Sequence, residues 1–256
     1  MKIIKNFDIV LFARRDIKEI SIPLNNKTIS SHAFEHCKNL TKIEISSNSN
    51  LQTIESNAFA WSNINELYFP GSLKELKEGW CCETNNLTKI NISPLNNQFL
   101  FKDNKYLLGK SDENSDNFDI LLFVSRDIKE ISISSNIKTI SSHAINGCLN
   151  ISKVEISADS KLQTIGSNAF SRSSIKEIFI PPKVSNICEY SFFICTNLKE
   201  VKIAENSNLQ TIGSYSFSQT QIKEIFIPSK YSKIGKCAFA FCENLTKIDI
   251  PENSNL

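Results

Sequence analysis

The sequence lacks most of the local patterns by which enzymes and membrane proteins are recognised. It contains no glycine-rich phosphate loop, no Gly-x-Ser-x-Gly motif and no His-Glu-x-x-His motif. No run of 18 apolar residues occurs, so we expect no membrane insertion by this segment. Neither sign of charge is in excess: 29 Lys and Arg face 27 Asp and Glu. The net charge of +2 indicates no surface for nucleic acid or an anionic membrane.

Residues suited to metal binding are also few. The chain has three histidines, His32, His36 and His143, and no Cys-x-x-Cys pair. His32 and His36 are four residues apart and could share a helical face, but no third ligand accompanies them. Paired acidic residues fall at strand positions that face solvent. We therefore predict no metal site, no cofactor and no catalytic residue.

A repeat dominates what the sequence does contain. The phrase Leu/Ile-x-x-Ile/Val/Leu-x-Ile/Phe returns every 23 or 24 residues, with a single spacing of 41. A period of roughly 20 to 29 residues with this phrase is typical of a leucine-rich-repeat solenoid. The phrase begins at Ile17, Leu40, Ile64, Leu87, Ile128, Ile151, Ile175, Leu198, Ile222 and Leu245. The prediction is an α/β leucine-rich-repeat solenoid over residues 1–256, a single domain with one short parallel strand per rung.

Residues 27–45 illustrate one rung. Leu40, Ile43 and Ile45 alternate with polar residues, as in a strand with one buried face. Ala33 and Phe34 form a second apolar set, for which we predict a short helical or 3-10 turn on the convex side. No rung can bury its apolar face alone, so the stacking of rungs stabilises the fold.

The spacing of 41 contains an insertion at about residues 94–124. Residues 99–102 and 105–108 predict a β-hairpin with Asp103 and Asn104 at its turn. Residues 120–124 predict a third strand that leads back into the stack. We expect this island to interrupt the array without creating separate domains.

Both ends of the sequence look like interrupted repeats. Residues 6–22 nearly duplicate residues 117–133, and residues 252–256 match residues 205–209. Solenoids normally protect their terminal rungs with capping repeats. We therefore expect a piece of a longer array. Residues 1–8 are too charged for a secretory signal peptide.

Four of the eight cysteines recur on alternate rungs, three residues before a strand anchor. Residues two rungs apart are separated by about 9–10 Å, which is too far for a disulfide bond. We predict that these four are reduced and buried: Cys37, Cys148, Cys195 and Cys242. Cys188 and Cys237 are less constrained by the repeat. The adjacent Cys81 and Cys82 would be reactive if exposed, but the pattern favours a packing role.

Six Asn-x-Ser/Thr sequons occur, at Asn26, Asn39, Asn86, Asn91, Asn150 and Asn244. Four of them occupy one repeat slot, which favours a structural role for asparagine at strand entry. Glycosylation stays open.

Two phrases resemble the BspA-like leucine-rich repeats. Residues 238–245 carry Ala-Phe-x-x-Cys-x-Asn-Leu, with a variant at residues 192–198, and the Lys-Asp-x-x-Tyr-Leu-Leu-x-Lys unit at residues 102–110 is similar to the family's inserted island. The rung at 76–92 departs from the pattern, because Trp80-Cys81-Cys82 replaces Ala-Phe-x-x-Cys. The resemblance implies a surface adhesin or surface antigen of the kind found on bacteria and protozoa.

The outward strand positions form two columns along the predicted sheet. The first column alternates Glu and Lys, which can pair across strands, until three glutamates follow one another. Beside these glutamates the second column places two phenylalanines around a lysine. Exposed aromatic residues next to charges suit protein recognition. We predict a protein-binding patch formed by Glu177, Phe179, Glu200, Lys202, Glu224 and Phe226, with Tyr68 as an outlying companion. The alternative is that the rings cover neighbouring strand residues and bind nothing.

The sequence thus predicts a non-catalytic protein-binding module of a cell-surface or secreted protein. Its partners would be host or extracellular-matrix proteins, bound through the concave parallel sheet. Two alternatives stay open. An intracellular, cytoplasmic interaction scaffold is favoured by the missing signal peptide and the reduced cysteines, and an enzyme would need a site that no motif indicates.

Overall fold

The computed structural model describes residues 5–6, 9–10, 13–228 and 233–250. The sequence features noted at residues 1–4 and 251–256 lie outside these described residues. Backbone packing divides the chain into two compact units on either side of the boundary between Phe118 and Asp119. The expectation of a single domain stays a prediction.

The repeat phrase of the first unit forms one parallel strand per rung. These strands, the long strands, are β3 (Glu19–Ser21), β5 (Lys42–Glu44), β7 (Glu66–Phe69) and β9 (Lys89–Ile92). Strands β3 and β5 pair in parallel, as do β7 and β9, in a register that places Glu19 opposite Lys42 and Glu66 opposite Lys89. The apolar residues between them point inward and are buried, as the period of two requires.

The second unit repeats this arrangement over six rungs of the described chain. Its long strands are β13 (Glu130–Ile133), β15 (Lys153–Ile156), β17 (Glu177–Ile180), β19 (Glu200–Ile203), β21 (Glu224–Phe226) and β23 (Lys247–Asp249). Parallel pairing joins β13 to β15, β17 to β19 and β21 to β23. The leucine-rich-repeat solenoid predicted from the periodicity is confirmed.

Each rung also contributes a second, two-residue strand that the sequence did not predict. In the first unit these are β2 (Ile9–Val10), β4 (Thr28–Ile29), β6 (Thr53–Ile54) and β8 (Glu75–Leu76), with β1 (Lys5–Asn6) antiparallel to β2. In the second unit they are β14 (Thr139–Ile140), β16 (Thr164–Ile165), β18 (Asn186–Ile187), β20 (Thr211–Ile212) and β22 (Lys233–Ile234). Within each unit the short strands pair in parallel from rung to rung in one continuous sheet, whereas the long strands are hydrogen-bonded two by two.

The insertion folds as expected. Strands β10 (Phe99–Lys102) and β11 (Tyr106–Gly109) form an antiparallel hairpin in the first unit. Asp103 and Asn104 both have positive φ values, 55° and 53°, in the three-residue loop between the paired Lys102 and Tyr106. The third predicted strand, β12 (Ile120–Val124), pairs in parallel with β14 in the second unit.

The helical or 3-10 turns predicted on the convex side are wrong, because no described residue is helical. In the segment from Ser30 to Cys37, the backbone N–H groups of Ala33 and Cys37 close tight turns onto residues three positions earlier. The N–H groups of His32, Phe34 and His36, which alternate with these turn donors, instead donate to carbonyls of the next rung. A helix would keep these donors within its own segment. The left-handed φ of 61° at His32 also interrupts any helical turn.

A ladder of phenylalanines fills the core beside the strands. In the second unit Phe192 lies between Phe170 and Phe217, with ring centroids 4.9 and 5.0 Å apart and planes nearly parallel. In the first unit Phe34 and Phe59 form such a stacked pair, with centroids 5.3 Å apart. All five rings are fully buried. Burying one such ring contributes roughly 1.5–3 kcal/mol, so the repeated Ala-Phe slot supplies a large part of the stabilisation.

The four cysteines of the repeat slot are buried free thiols, as predicted. Their sulfur atoms take part in inter-rung contacts: the Sγ atoms of Cys195 and Cys242 each lie 3.0 Å from a carbonyl oxygen one rung earlier. Burial raises the pKa of the Cys195 thiol to about 12. Among the unconstrained cysteines, Cys237 is exposed.

We expect these differences to set the order of thiol alkylation. Because the thiolate is the nucleophile, a buried thiol with a pKa of about 12 stays protonated and unreactive at pH 8. Iodoacetamide should therefore modify Cys237 first and leave Cys195 unmodified until the protein unfolds, as read by peptide mass spectrometry. Modification of Cys195 at the rate of Cys237 in folded protein would contradict this burial.

The sequon asparagines differ in accessibility. Asn26 is 4% exposed, whereas the other five are exposed. Three asparagines of the shared slot bond to the preceding rung through Nδ2: Asn86 to Asn63, Asn150 to the carbonyl of Arg126, and Asn244 to Gln221. These bonds account for asparagine at strand entry without a glycan.

Candidate protein-binding face

The structure brings most of the predicted patch together on three neighbouring strands of the second unit. The register of β17 and β19 places Glu177 opposite Glu200 and Phe179 opposite Lys202. Strand β21, which carries Glu224 and Phe226, packs against the other side of β19. The glutamates form one row on the outward surface, and the two phenylalanines form a second row with a lysine between them.

Part of this patch lines a shallow groove of about 250 Å³. Its outward-facing walls come from β15, β17 and β19, and they consist of Lys153, Glu155, Glu177, Phe179, Glu200 and Lys202. The groove thus contains four of the predicted site residues. Charged groups of both signs surround a single ring, a composition that suits a polar protein surface with an apolar centre.

Two lysines of the groove are bound to acidic residues of their own strands. Lys153 Nζ lies 2.6 Å from Glu155 Oε1, and Lys202 Nζ lies 3.0 Å from Glu200 Oε1. The hydrogen bond to the neighbouring carboxylate raises the pKa of each lysine. These pairs are solvent-exposed and contribute little stability, but they occupy the ammonium groups.

Two glutamates of the row have no such partner. Glu177 faces a like charge, Glu200, across the strand pair. Glu224 lies opposite Lys247, but Lys247 Nζ bonds to Asp249 at 2.6 Å instead. Within the described part of the chain, neither Glu177 nor Glu224 forms an ion pair. Like charges directly opposite each other destabilise a sheet, so folding alone does not favour this row.

The two phenylalanines of the patch differ from those of the core ladder. Phe179 is half-buried, and Phe226 is 43% exposed. Isolated exposed apolar residues are common on protein surfaces, but two rings on one sheet face beside charges form a surface that can be desolvated by a partner. The structure therefore provides apolar contact area and carboxylates at the same place.

Tyr68 lies in the first unit. It is half-buried on β7, opposite Asn91 of β9. The structure does not bring Tyr68 into the groove.

The histidines show no metal-binding geometry. His32 Nδ1 lies 3.2 Å from Glu35 Oε2, and the ring of His36 stacks on Trp61 with centroids 5.9 Å apart. No cluster of three or more histidine, cysteine or acidic residues in the described ranges is arranged to hold a metal ion. Within the same ranges, no helix is long and apolar enough to cross a membrane.

Comparison with known families gives one match. The profile of the BspA-type leucine-rich-repeat region matches residues 5–105 and 117–246 in six copies. A search of curated protein sequences found no relative.

Solved structures share the fold. The pneumococcal vaccine antigen PcpA superposes with a TM-score of 0.69 at 23% identity, over 93% of this chain and 52% of that one. A leucine-rich-repeat protein from Eubacterium ventriosum gives 0.73 at 20% identity, over 92% and 67%. A leucine-rich cell-surface protein from Faecalibacterium prausnitzii gives 0.66 at 18% identity, over 92% and 60%. The chain thus spans about half to two thirds of the length of these proteins, and at such identities the likeness shows the fold alone.

Proposed function

Since the chain belongs to the BspA-type leucine-rich-repeat family, we propose that it is a non-catalytic protein-binding module of a cell-surface or secreted protein. It acts as an adhesin or surface antigen, and its partners are host or extracellular proteins. The binding surface is the patch on β17, β19 and β21. The observation that carries this proposal is the exposed Phe226 beside the half-buried Phe179 on one outward sheet face, next to carboxylates without ion-pair partners.

The family and the fold support a binding role. Solenoids present long, regular surfaces, and leucine-rich repeats are in general scaffolds rather than catalysts. Two of the structural neighbours are described as a vaccine antigen and a cell-surface protein, which supports a surface location for this chain. The groove also lacks the nucleophile and base arrangement that acyl transfer would require.

Replacing both rings by Phe179→Ser and Phe226→Ser should weaken binding to a protein partner by at least about 10-fold, because central aromatic residues dominate interface energies. Folding should change little, since one ring is exposed and the other is half-buried. The measurement is surface plasmon resonance against a panel of purified extracellular-matrix and host surface proteins, with circular dichroism to verify the fold.

Phe241→Ser is the matched control, because Phe241 is 73% exposed and lies in a turn segment rather than on a long strand. Its affinity should equal that of the wild type. If the wild-type protein bound no member of the panel, extracellular protein recognition would be rejected. If the double variant retained wild-type affinity for a bound partner, the patch would be rejected.

A further inference from the structure

The patch contains the same three-residue motif twice. Residues 177–179 and 224–226 both read Glu-Ile-Phe, on strands β17 and β21. In each Glu-Ile-Phe motif the isoleucine is buried, while the glutamate and phenylalanine lie on the outward face. Residues two apart on a strand project about 6.6 Å from each other on one face. Each motif therefore offers a carboxylate and a phenyl ring to one bound group.

The neighbouring lysines of this face form their direct ion pairs with other carboxylates, and they interact with Glu177 and Glu224 only through longer-range attraction. Lys202, on the strand between the two Glu-Ile-Phe motifs, is bound to Glu200 of its own strand. Lys153 and Lys247, on the strands that flank the two motifs, bond in the same way to Glu155 and Asp249. The outward row of β17, β19 and β21 therefore carries an excess of negative charge with no described cation in contact with Glu177 or Glu224.

A carboxylate next to a phenyl ring is suited to a cationic side chain. The guanidinium or ammonium group pairs with the carboxylate, and its apolar stem or planar face packs on the ring. Arginine fits best, because its guanidinium can donate to the carboxylate and stack on the phenyl ring at once. Strands β17 and β19 are paired about 4.8 Å apart, and β21 packs against β19 outside that pair, so the two Glu-Ile-Phe motifs are separated by about 10 Å.

We propose that this face binds a basic segment of a protein partner that presents two arginine or lysine side chains about 10 Å apart, one on each Glu-Ile-Phe unit. The inference rests on the proposed function and specifies its partner chemistry. An extended proline-rich segment meets the spacing, because residues three apart in a polyproline II helix lie on one side about 9 Å apart. Charge complementarity sets the occupant, and the phenyl rings supply the apolar contact.

Calorimetric titration with three synthetic peptides tests the spacing and the charge. The first is a proline-rich peptide with two arginines three residues apart. The second replaces both arginines by uncharged citrulline, and the third places the arginines two residues apart, on different sides of the helix. The first peptide should bind, with affinity that falls as salt rises, and the other two should bind at least about 10-fold more weakly. Equal binding of the citrulline peptide, equal binding of the third peptide, or no binding of the first would overturn the inference.

Variants of the protein provide a second test of the inference, with the same peptides. Glu177→Gln with Glu224→Gln should lower the affinity for the first peptide by about 10-fold or more, since both charge pairs are lost. The control is Glu19→Gln with Glu130→Gln. These two exposed glutamates begin Glu-Ile-Ser units, which have the same carboxylate and strand position but no ring. The control should bind as the wild type does, and a loss equal to that of the test variant would overturn the inference.

The two proposals can fail separately. For a protein partner found in the panel, loss of binding in the phenylalanine variant but not in Glu177→Gln with Glu224→Gln would overturn the basic-segment inference and leave the binding function standing. Retained binding in both variants would overturn the patch itself.

Discussion

Phe192→Ala is expected to lower the free energy of unfolding of the second unit by about 3–5 kcal/mol, the range for removing a large buried aromatic side chain. Phe192 is fully buried and stacks on rings of the rungs on both sides, Phe170 and Phe217. The change leaves a cavity and removes two inter-rung contacts. Because each rung of a solenoid contacts only its neighbours, no other part of the unit replaces them. Urea denaturation followed by circular dichroism measures the loss.

The same substitution at an exposed ring is the control. Phe226→Ala removes an equal volume from a side chain that is 43% exposed, so its effect on stability should be below about 1 kcal/mol. If Phe192→Ala were no more destabilising than Phe226→Ala, the stacked ladder would not be part of the core.

Gly213→Ala should destabilise the second unit by about 3 kcal/mol, the upper part of the usual range for overpacking. A Cβ atom at this position would lie 2.5 Å from backbone atoms of Cys188 and Glu189 in the preceding rung. Gly213 N also donates to Ile187 O at 2.7 Å, where β18 and β20 pair. The clash is with backbone, so relief requires separating the two rungs.

Gly71→Ala separates this effect from the general effect of replacing glycine. Its Cβ atom would lie 3.0 Å from Leu95 Cβ and no closer than 3.6 Å to backbone atoms, so a shift of a few tenths of an ångström at the exposed turn residue Leu95 relieves the contact. We expect a change of less than about 1 kcal/mol. Thermal unfolding of both variants compares the two effects. Equal melting temperatures would mean that the rungs do not approach each other as closely as the structure shows.

The sequence predicted the long strands well because their signal is redundant. Each has apolar residues at alternate positions, and the same phrase recurs at ten anchors, so one ambiguous rung does not change the pattern. The insertion was predictable for a related reason. Two apolar runs flank Asp103 and Asn104, which tolerate the positive φ of a tight turn.

The second sheet was not predictable, because a strand of two residues has no periodicity to detect. Thr28–Ile29 and its equivalents form strands only because the next rung supplies partners. The helical turns failed for a similar reason. Ala33 and Phe34 are compatible with a helical turn, but the donors that a helix would use bond to the neighbouring rung. In both cases tertiary hydrogen bonds decide a local conformation.

The candidate site shows the same limits. The sequence placed Glu177, Phe179, Lys202 and Phe226 on one face correctly, because the parity of strand positions fixes which side chains point outward. It suggested that charges of the first column pair between strands, as Lys89 and Glu66 do at 3.5 Å. Most lysines of the long strands instead bond along their own strand, since an acidic residue two positions away is equally close. The glutamates without ion pairs therefore became apparent only in the structure.

Disulfide trapping between adjacent rungs tests the central claim, the register of the stacked strands. In a Cys237→Ser background, Phe179→Cys with Lys202→Cys places two outward thiols on paired residues of β17 and β19. Adjacent strands bring their Cα atoms within the range of about 4.4–6.8 Å that a disulfide allows. In the control, Phe179→Cys with Val201→Cys, the second thiol points into the core. We predict that mild oxidation cross-links the first variant rapidly and the control not at all, as read by mass spectrometry. Failure of the first pair to cross-link, or equal cross-linking of both, would contradict the stacked register.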